Sequence, residues 1–210
     1  HSVLYVYSKD LYNKYKMPLN KVSNIQHIKL MGQGSFNQVN KVVCSINNKV
    51  GFFALRTSLY PADSELIFKA QHGIDVYKEL IRLGIPVTKI YDYNKPTENK
   101  YLVQLQELAD DNLYNFFSNP DIQKSHKENC VTQMIDIVNK LHDNEIWCVD
   151  IKPQNMVIKK IDKMYKVMLI DLEDCVLINE YRYSREISIF QILILLYMPL
   201  SITGRLDHEF

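Results

Sequence analysis

The chain has 210 residues, 47% of them hydrophobic and 23% charged, with a formal net charge of +1 at pH 7. That balance suffices to bury one or two small cores, and it lacks the broad basic footprint of a protein that holds nucleic acid or a membrane surface by charge. Cys44, Cys130, Cys148 and Cys175 are far apart with no C-x-x-C pair, so neither zinc nor a disulfide framework is signalled and a reducing compartment is expected.

In chain order, residues 1–27 read as an extension. Between Ile28 and Leu59, short runs of β-branched and aromatic residues (VNKVVCSI, KVGFFALRT) flank Asn47-Asn48 and predict strands joined by a hairpin turn. Asp63-Ser64 then opens a helical pattern with Leu66, Ile67, Ala70, Ile74, Tyr77, Leu80 and Ile81 at helical spacing, weakened in the middle by Gly73. PVTKIYDYN and KYLVQLQEL alternate as strands around KPTENK, completing a β-β-β-α-β-β order.

After Leu108 the pattern turns helical. DDNLYNFF predicts a short helix, and KENCVTQMIDIVNKLHDNEI places Cys130, Met134, Ile137, Val138 and Leu141 on one face. NMVIKK and YKVMLID predict two short strands around Asp162-Lys163. The apolar run Ile187 to Leu200, interrupted by Ser188 and Gln191, falls short of the roughly 20 residues a membrane span needs and reads as a buried helix. A strand-rich front (28–108) and a helical back (109–210), joined near Glu107 to Asp111, predict an α+β chain of two lobes.

Two segments set costly polar groups inside apolar runs: CVDIKPQN at Cys148 to Asn155, and LIDLED at Leu169 to Asp174, where the second strand ends. Alone, each aspartate there reads as a cap or turn former. Together, in order and around a strand pair, they resemble the catalytic loop and metal-binding D-F-G of the protein-kinase superfamily. The step from Asp150 to Asn155 is 155 − 150 = 5, the family's spacing.

The resemblance implies a role for each residue. Asp150 accepts or orients the substrate hydroxyl, and Lys152 contacts the transferred phosphoryl group. Asn155 and Asp171 supply oxygen ligands to magnesium. MGQGSFNQVNKV resembles the phosphate-covering glycine-rich loop, with Gly32 and Gly34 in its first two glycine positions, Ser35 and Phe36 at the tip, and Val39 against the base. Asn37, which tolerates positive φ, replaces the third glycine. FALR at Phe53 to Arg56 resembles the V-A-I-K strand, so Ala54 lines the base pocket with Met156 or Val157 beneath it. Gln106, Glu107, Leu108 and Ala109 occupy the hinge whose backbone reads the adenine edge.

Several residues depart from the family. Arg56 stands where a lysine holds the α- and β-phosphates, and the two side chains are not interchangeable at a point-charge site. Lys41 and Lys49 are nearby substitutes, and Glu65 or Glu79 are candidates for the partner acid, with Glu65 preferred. Leu172 takes the phenylalanine position and Glu173 the glycine position of D-F-G. Cys148 and Val149 replace the His and Arg before the catalytic aspartate, which removes the partner of an activation-loop phosphate. Glu186 resembles the aspartate opening the central C-lobe helix, after which the chain soon ends.

The resemblance therefore implies a two-lobed kinase-like fold with a reduced C-lobe, similar to minimal effector kinases of bacterial pathogens or small viral kinases. Its cofactors would be ATP and magnesium. The expected activity is phosphoryl transfer to serine or threonine of a protein, a host protein if the chain is a secreted effector, with an activating partner also to be considered. No nucleic acid and no membrane span are expected, and the location is the cytoplasm. Two alternatives stay open: a catalytically weak nucleotide-binding module acting through a protein partner, which Arg56 and Glu173 favour, and nucleotidyl transfer on the same fold.

Overall fold

The computed structural model describes residues 19–148 and 151–177. Asp150, Glu186 and the helix expected at Ile187 to Leu200 lie outside the described residues, as do residues 1–18 of the expected extension. The described chain is mixed α+β and forms two compact units, 19–71 with 88–108 and 72–87 with 109–177.

The first unit is a five-stranded antiparallel sheet in the order β1-β2-β3-β5-β4. Its strands are β1 (Val22–Gln33), β2 (Asn37–Ile46), β3 (Lys49–Ser58), β4 (Ile90–Tyr93) and β5 (Val103–Glu107). The β2–β3 turn is the Asn47-Asn48 pair expected from sequence. Both residues have positive φ, 50° and 63°, the geometry that matches strand twist in a two-residue hairpin and that asparagine tolerates. One sheet face buries Val42, Cys44, Leu55, Val103 and Leu105 together with Leu19. The first strand therefore starts at Val22 rather than Ile28, and Leu19 of the expected extension belongs to the core. Register shifts at Ser23/Gln26, His27/Lys29 and Leu30/Gly32 break the period-2 alternation that would have revealed it.

Helix α1 (Ser64–Arg82) begins in the first unit and ends in the second. Asp63 caps it, its Oδ1 accepting the Leu66 N–H at 2.8 Å. Gly73 does not break it. At the far end Gly84 adopts φ +66°, its N–H donates to the Ile81 carbonyl, and the Ile85 N–H donates to the Leu80 carbonyl. This paired closure satisfies carbonyls the helix leaves open and needs a residue without a Cβ.

The second unit contains β6 (Asp111–Asn112), α2 (Leu113–Ser118), α3 (Lys124–Asp143), β7 (Ile146–Cys148), a 3-10 turn (Pro153–Asn155), β8 (Met156–Ile161), β9 (Met164–Leu169) and β10 (Cys175–Leu177). Its strands form one sheet ordered β6-β8-β9 and a separate pair β10-β7. The α3 stripe Cys130, Met134, Ile137, Val138 and Leu141 is buried as expected, against Phe116, Phe117, Met156, Val167 and Leu169. Each such apolar side chain contributes about 1.5–3 kcal/mol on burial. From α1, Ile74, Val76 and Leu80 are buried, whereas Ile81, assigned to that stripe from sequence, is 53% exposed.

One cation lies inside this unit. Lys127 is buried and its Nζ donates to the Phe117 carbonyl at 2.9 Å and the Asn119 carbonyl at 2.7 Å, closing the end of α2. Among the described residues no helix is long and apolar enough to cross a membrane.

Candidate functional site

In the first unit, the G-x-G segment is the connection between β1 and β2. Gly32 pairs with Val39 and Gln33 with Gln38, so Gly34, Ser35 and Phe36 form the tip. The Gly34 N–H donates to the Asn37 carbonyl and the Leu59 N–H donates to the Phe36 carbonyl, both at 2.8 Å. Phe36 is exposed, and the Lys69 ammonium of α1 stands 5.7 Å from its ring centroid.

Gly32 and Gly34 do not have positive φ, and neither does Asn37, so the conformational reason for asparagine in the third glycine position is withdrawn. Asn37 is an ordinary β2 residue. A Cβ on Gly32 would meet no atom within 4 Å, and one on Gly34 only the Asn37 carbonyl at 3.9 Å. Packing among the described residues does not require glycine at either place. Gly32 is a strand glycine, which costs about 0.5–1 kcal/mol, so its small size suits something approaching this backbone from outside the chain.

The β2–β3–β5 register puts the other first-unit candidates on one sheet face. Val39 lies directly opposite Arg56, Arg56 opposite Gln104, and Ala54 opposite both Lys41 and Gln106. Directly opposed residues project to the same side, and positions i and i+2 share it. Val39, Lys41, Ala54, Arg56, Gln104 and Gln106 therefore form one patch, on the face opposite Val42, Cys44, Leu55 and Leu105. Lys49 pairs with Ile46 at the far end of the hairpin and belongs to the other face.

The candidate acids are engaged on their own helix. Glu65 pairs with Lys69 at 3.0 Å, and Glu79 receives Arg82 Nε at 2.8 Å, a contact that holds the Glu79 carboxyl below its usual range. At the expected hinge, the Glu107 N–H donates to the Lys89 carbonyl at 2.7 Å and its carboxylate accepts the Lys89 N–H at 3.3 Å. That N–H is thus part of sheet pairing, and only other backbone groups of 106–109 can read a ligand edge. Ala109 starts the second unit.

In the second unit, Cys148 and residues 151–155 are the described part of the expected catalytic loop. Cys148 is in β7, Ile151 and Pro153 are buried, and Lys152 precedes the 3-10 turn in extended conformation, half-buried. The Asn155 N–H donates to the Lys152 carbonyl at 2.9 Å. The Asn155 carbonyl in turn accepts the Ile170 N–H at 3.2 Å, just beyond the Met156–Leu169 pair of the β8–β9 hairpin.

Asn155 and Asp171 consequently emerge at the same end of one hairpin. Asp171 is exposed and has φ 59°, a left-handed conformation that is uncommon outside glycine and accumulates at functional sites. Leu172, next to it, is buried in the core. Met156 and Val157, expected beneath the base, are both buried, and Met156 belongs to that core.

Three contacts here were not legible in the sequence. Glu173 packs over Gly73 of α1, where a Cβ would lie 3.2 Å from Glu173 Cγ. His72 Nε2 hydrogen-bonds to the Cys175 carbonyl. Cys148 and Cys175 are direct cross-strand partners in β7–β10, and their sulfurs are bonded. The expectation of no disulfide is corrected accordingly: the signal lies in strand register, which spacing does not reveal. Cys44 and Cys130 are buried free thiols.

No family model and no curated protein matches this chain. The functional reading rests on its own residues.

Proposed function

We propose that the chain is a phosphotransferase of protein-kinase type that moves the γ-phosphate of ATP onto a serine or threonine hydroxyl of a protein. The observation that carries this reading is the Ile170 to Asn155 hydrogen bond, which brings two oxygen-donor side chains, Asn155 and Asp171, to one hairpin end. A carboxylate and an amide oxygen are a donor set suited to magnesium.

The nucleotide roles fall on the first unit. Gly32, Gly34 and Ser35 present backbone to the phosphates where no Cβ intervenes, as the open space around both glycines allows. Val39 and Ala54 offer an apolar surface to the base, with Arg56 beside them as the phosphate-facing cation. Because the Glu107 N–H is engaged, the base edge falls to other backbone groups of the segment 106–109.

The chemical roles fall on the second unit. Asp150 orients the substrate hydroxyl and accepts its proton, and Lys152 offsets charge on the transferred group. Asn155 and Asp171 would hold magnesium, which when bound neutralises charge on the phosphate oxygens.

A second reading is a nucleotide-binding module that acts through a protein partner, favoured by Arg56 and by the packing of Glu173 over Gly73 in place of a glycine. The two are separated by measuring γ-phosphate transfer from ATP and magnesium, onto the chain itself and a generic protein, for the native sequence and Arg56→Lys. Transfer by either form supports the kinase reading. ATP binding by both without transfer supports the module.

A further inference from the structure

We propose that Cys148 and Cys175 are a reversible redox-modification site that controls the order of residues 151–155 and 171–174; its effect on phosphoryl transfer rests on the function proposed above. Cys148 lies two residues before Asp150, and Cys175 four residues after Asp171. The bond between them, spanning a sequence separation of 27, closes a loop that contains Lys152, Asn155 and Asp171.

The closure is held by pairing and by burial: Ile146, Cys148, Leu172 and Cys175 belong to the core, and His72 Nε2 hydrogen-bonds to the Cys175 carbonyl. β7 and β10 share three residue pairs, Cys175 with Cys148, Val176 with Trp147, and Leu177 with Ile146, in a two-stranded sheet separate from β6-β8-β9. The sulfur bridge adds a covalent restraint to this hold by closing the loop. Local opening of this pair is what exposes the buried sulfurs to solvent reagents.

The other two cysteines do not compete. Cys44 and Cys130 are buried in separate cores, and burial pushes their thiols up to about 11 and about 12, leaving little thiolate.

The oxidant class is a peroxide. One cysteine thiolate attacks a peroxide oxygen, the O–O bond breaks, the departing hydroxide takes up the proton that the thiol released and leaves as water, and a sulfenic acid forms. The second thiol attacks that sulfur, the S–O bond breaks and the second water leaves. Two thiols are thus oxidised to one disulfide as one hydrogen peroxide is reduced to two waters. A thiol such as glutathione reverses it, two glutathiones becoming one glutathione disulfide.

The test treats the full chain with hydrogen peroxide or with millimolar reduced glutathione, then reads linked peptides by mass spectrometry, amide exchange and γ-phosphate transfer. Expected are a Cys148–Cys175 peptide only after peroxide, faster exchange over 146–155 and 171–177 in the reduced form, and transfer at least about tenfold slower there. Cys148→Ser and Cys175→Ser should resemble the reduced native chain under both treatments. A bridge that persists in glutathione, one that never forms, or identical exchange in both states overturns the proposal. An exchange difference without transfer in either state supports the redox site and removes the kinase reading instead.

Discussion

The backbone carbonyl of Asn155 accepts the N–H of Ile170 at 3.2 Å, one step beyond the Met156–Leu169 pair. This bond extends the β8–β9 hairpin to the point where both strands turn away, and it sets Asn155 beside the residue that precedes Asp171. The polar groups sit at the edge of a large core, held from behind by Leu169 and Leu172. Rigid support of this kind is what a site that positions charge requires.

Gly34→Ala and Gly32→Ala should separate folding from ligand contact. Neither glycine has positive φ and neither Cβ would meet crowding, so stability in urea should hold or rise by about 0.5–1 kcal/mol. Affinity for ATP with magnesium should fall roughly tenfold as the backbone amides lose close approach. Variants that unfold, or that bind ATP as the native chain does, contradict the phosphate-loop assignment.

Gly73 and Glu173 should be coupled. In a Glu173→Ala background, Gly73→Ala should stabilise the chain by about 1 kcal/mol, the ordinary helix preference for alanine. With Glu173 present the same change should gain less, because the new Cβ meets Glu173 Cγ at 3.2 Å. Additive effects in a double-mutant cycle would remove this contact from the account.

Lys127→Ala should destabilise the second unit by about 1–3 kcal/mol, since the buried Phe117 carbonyl and the Asn119 carbonyl lose their donor. Differential scanning calorimetry reads this as a lower Tm. An unchanged Tm would mean that water replaces the ammonium at no cost.

Alkaline stability should carry the signature of the two buried thiols. Exposed in the unfolded chain they ionise near 9.0, whereas in the fold burial raises them to about 11 and about 12. The folded state then holds more protons, so this contribution is fully present below pH 9 and is lost as pH rises through the folded values. Urea midpoints measured across that range should fall less steeply in Cys130→Ala than in the native chain.

The sequence made some of this readable because the relevant physics is local. Asn47-Asn48 specify their hairpin turn, Asp63 specifies its cap, and the stripe from Cys130 to Leu141 specifies a buried helix face. Other features depend on register or tertiary approach. The bulged start of β1 hid Val22 and Leu19, the Cys148–Cys175 bond follows from how β7 meets β10, and the engagement of the Glu107 N–H follows from β4–β5 pairing. Asn155 and Asp171 were named from motif spacing, but only the β8–β9 register puts them together. Val39, Ala54 and Arg56 likewise share a face through the β2–β3 alignment.

The most direct test compares native chain and Asp171→Ala, at matched Tm, for transfer of label from γ-labelled ATP in the presence and absence of magnesium. Expected are magnesium-dependent transfer by the native chain and a loss of at least about 10²-fold in the variant, the scale of removing one preorganised electrostatic group. Transfer that survives Asp171→Ala undiminished, or proceeds equally without magnesium, would contradict the kinase reading.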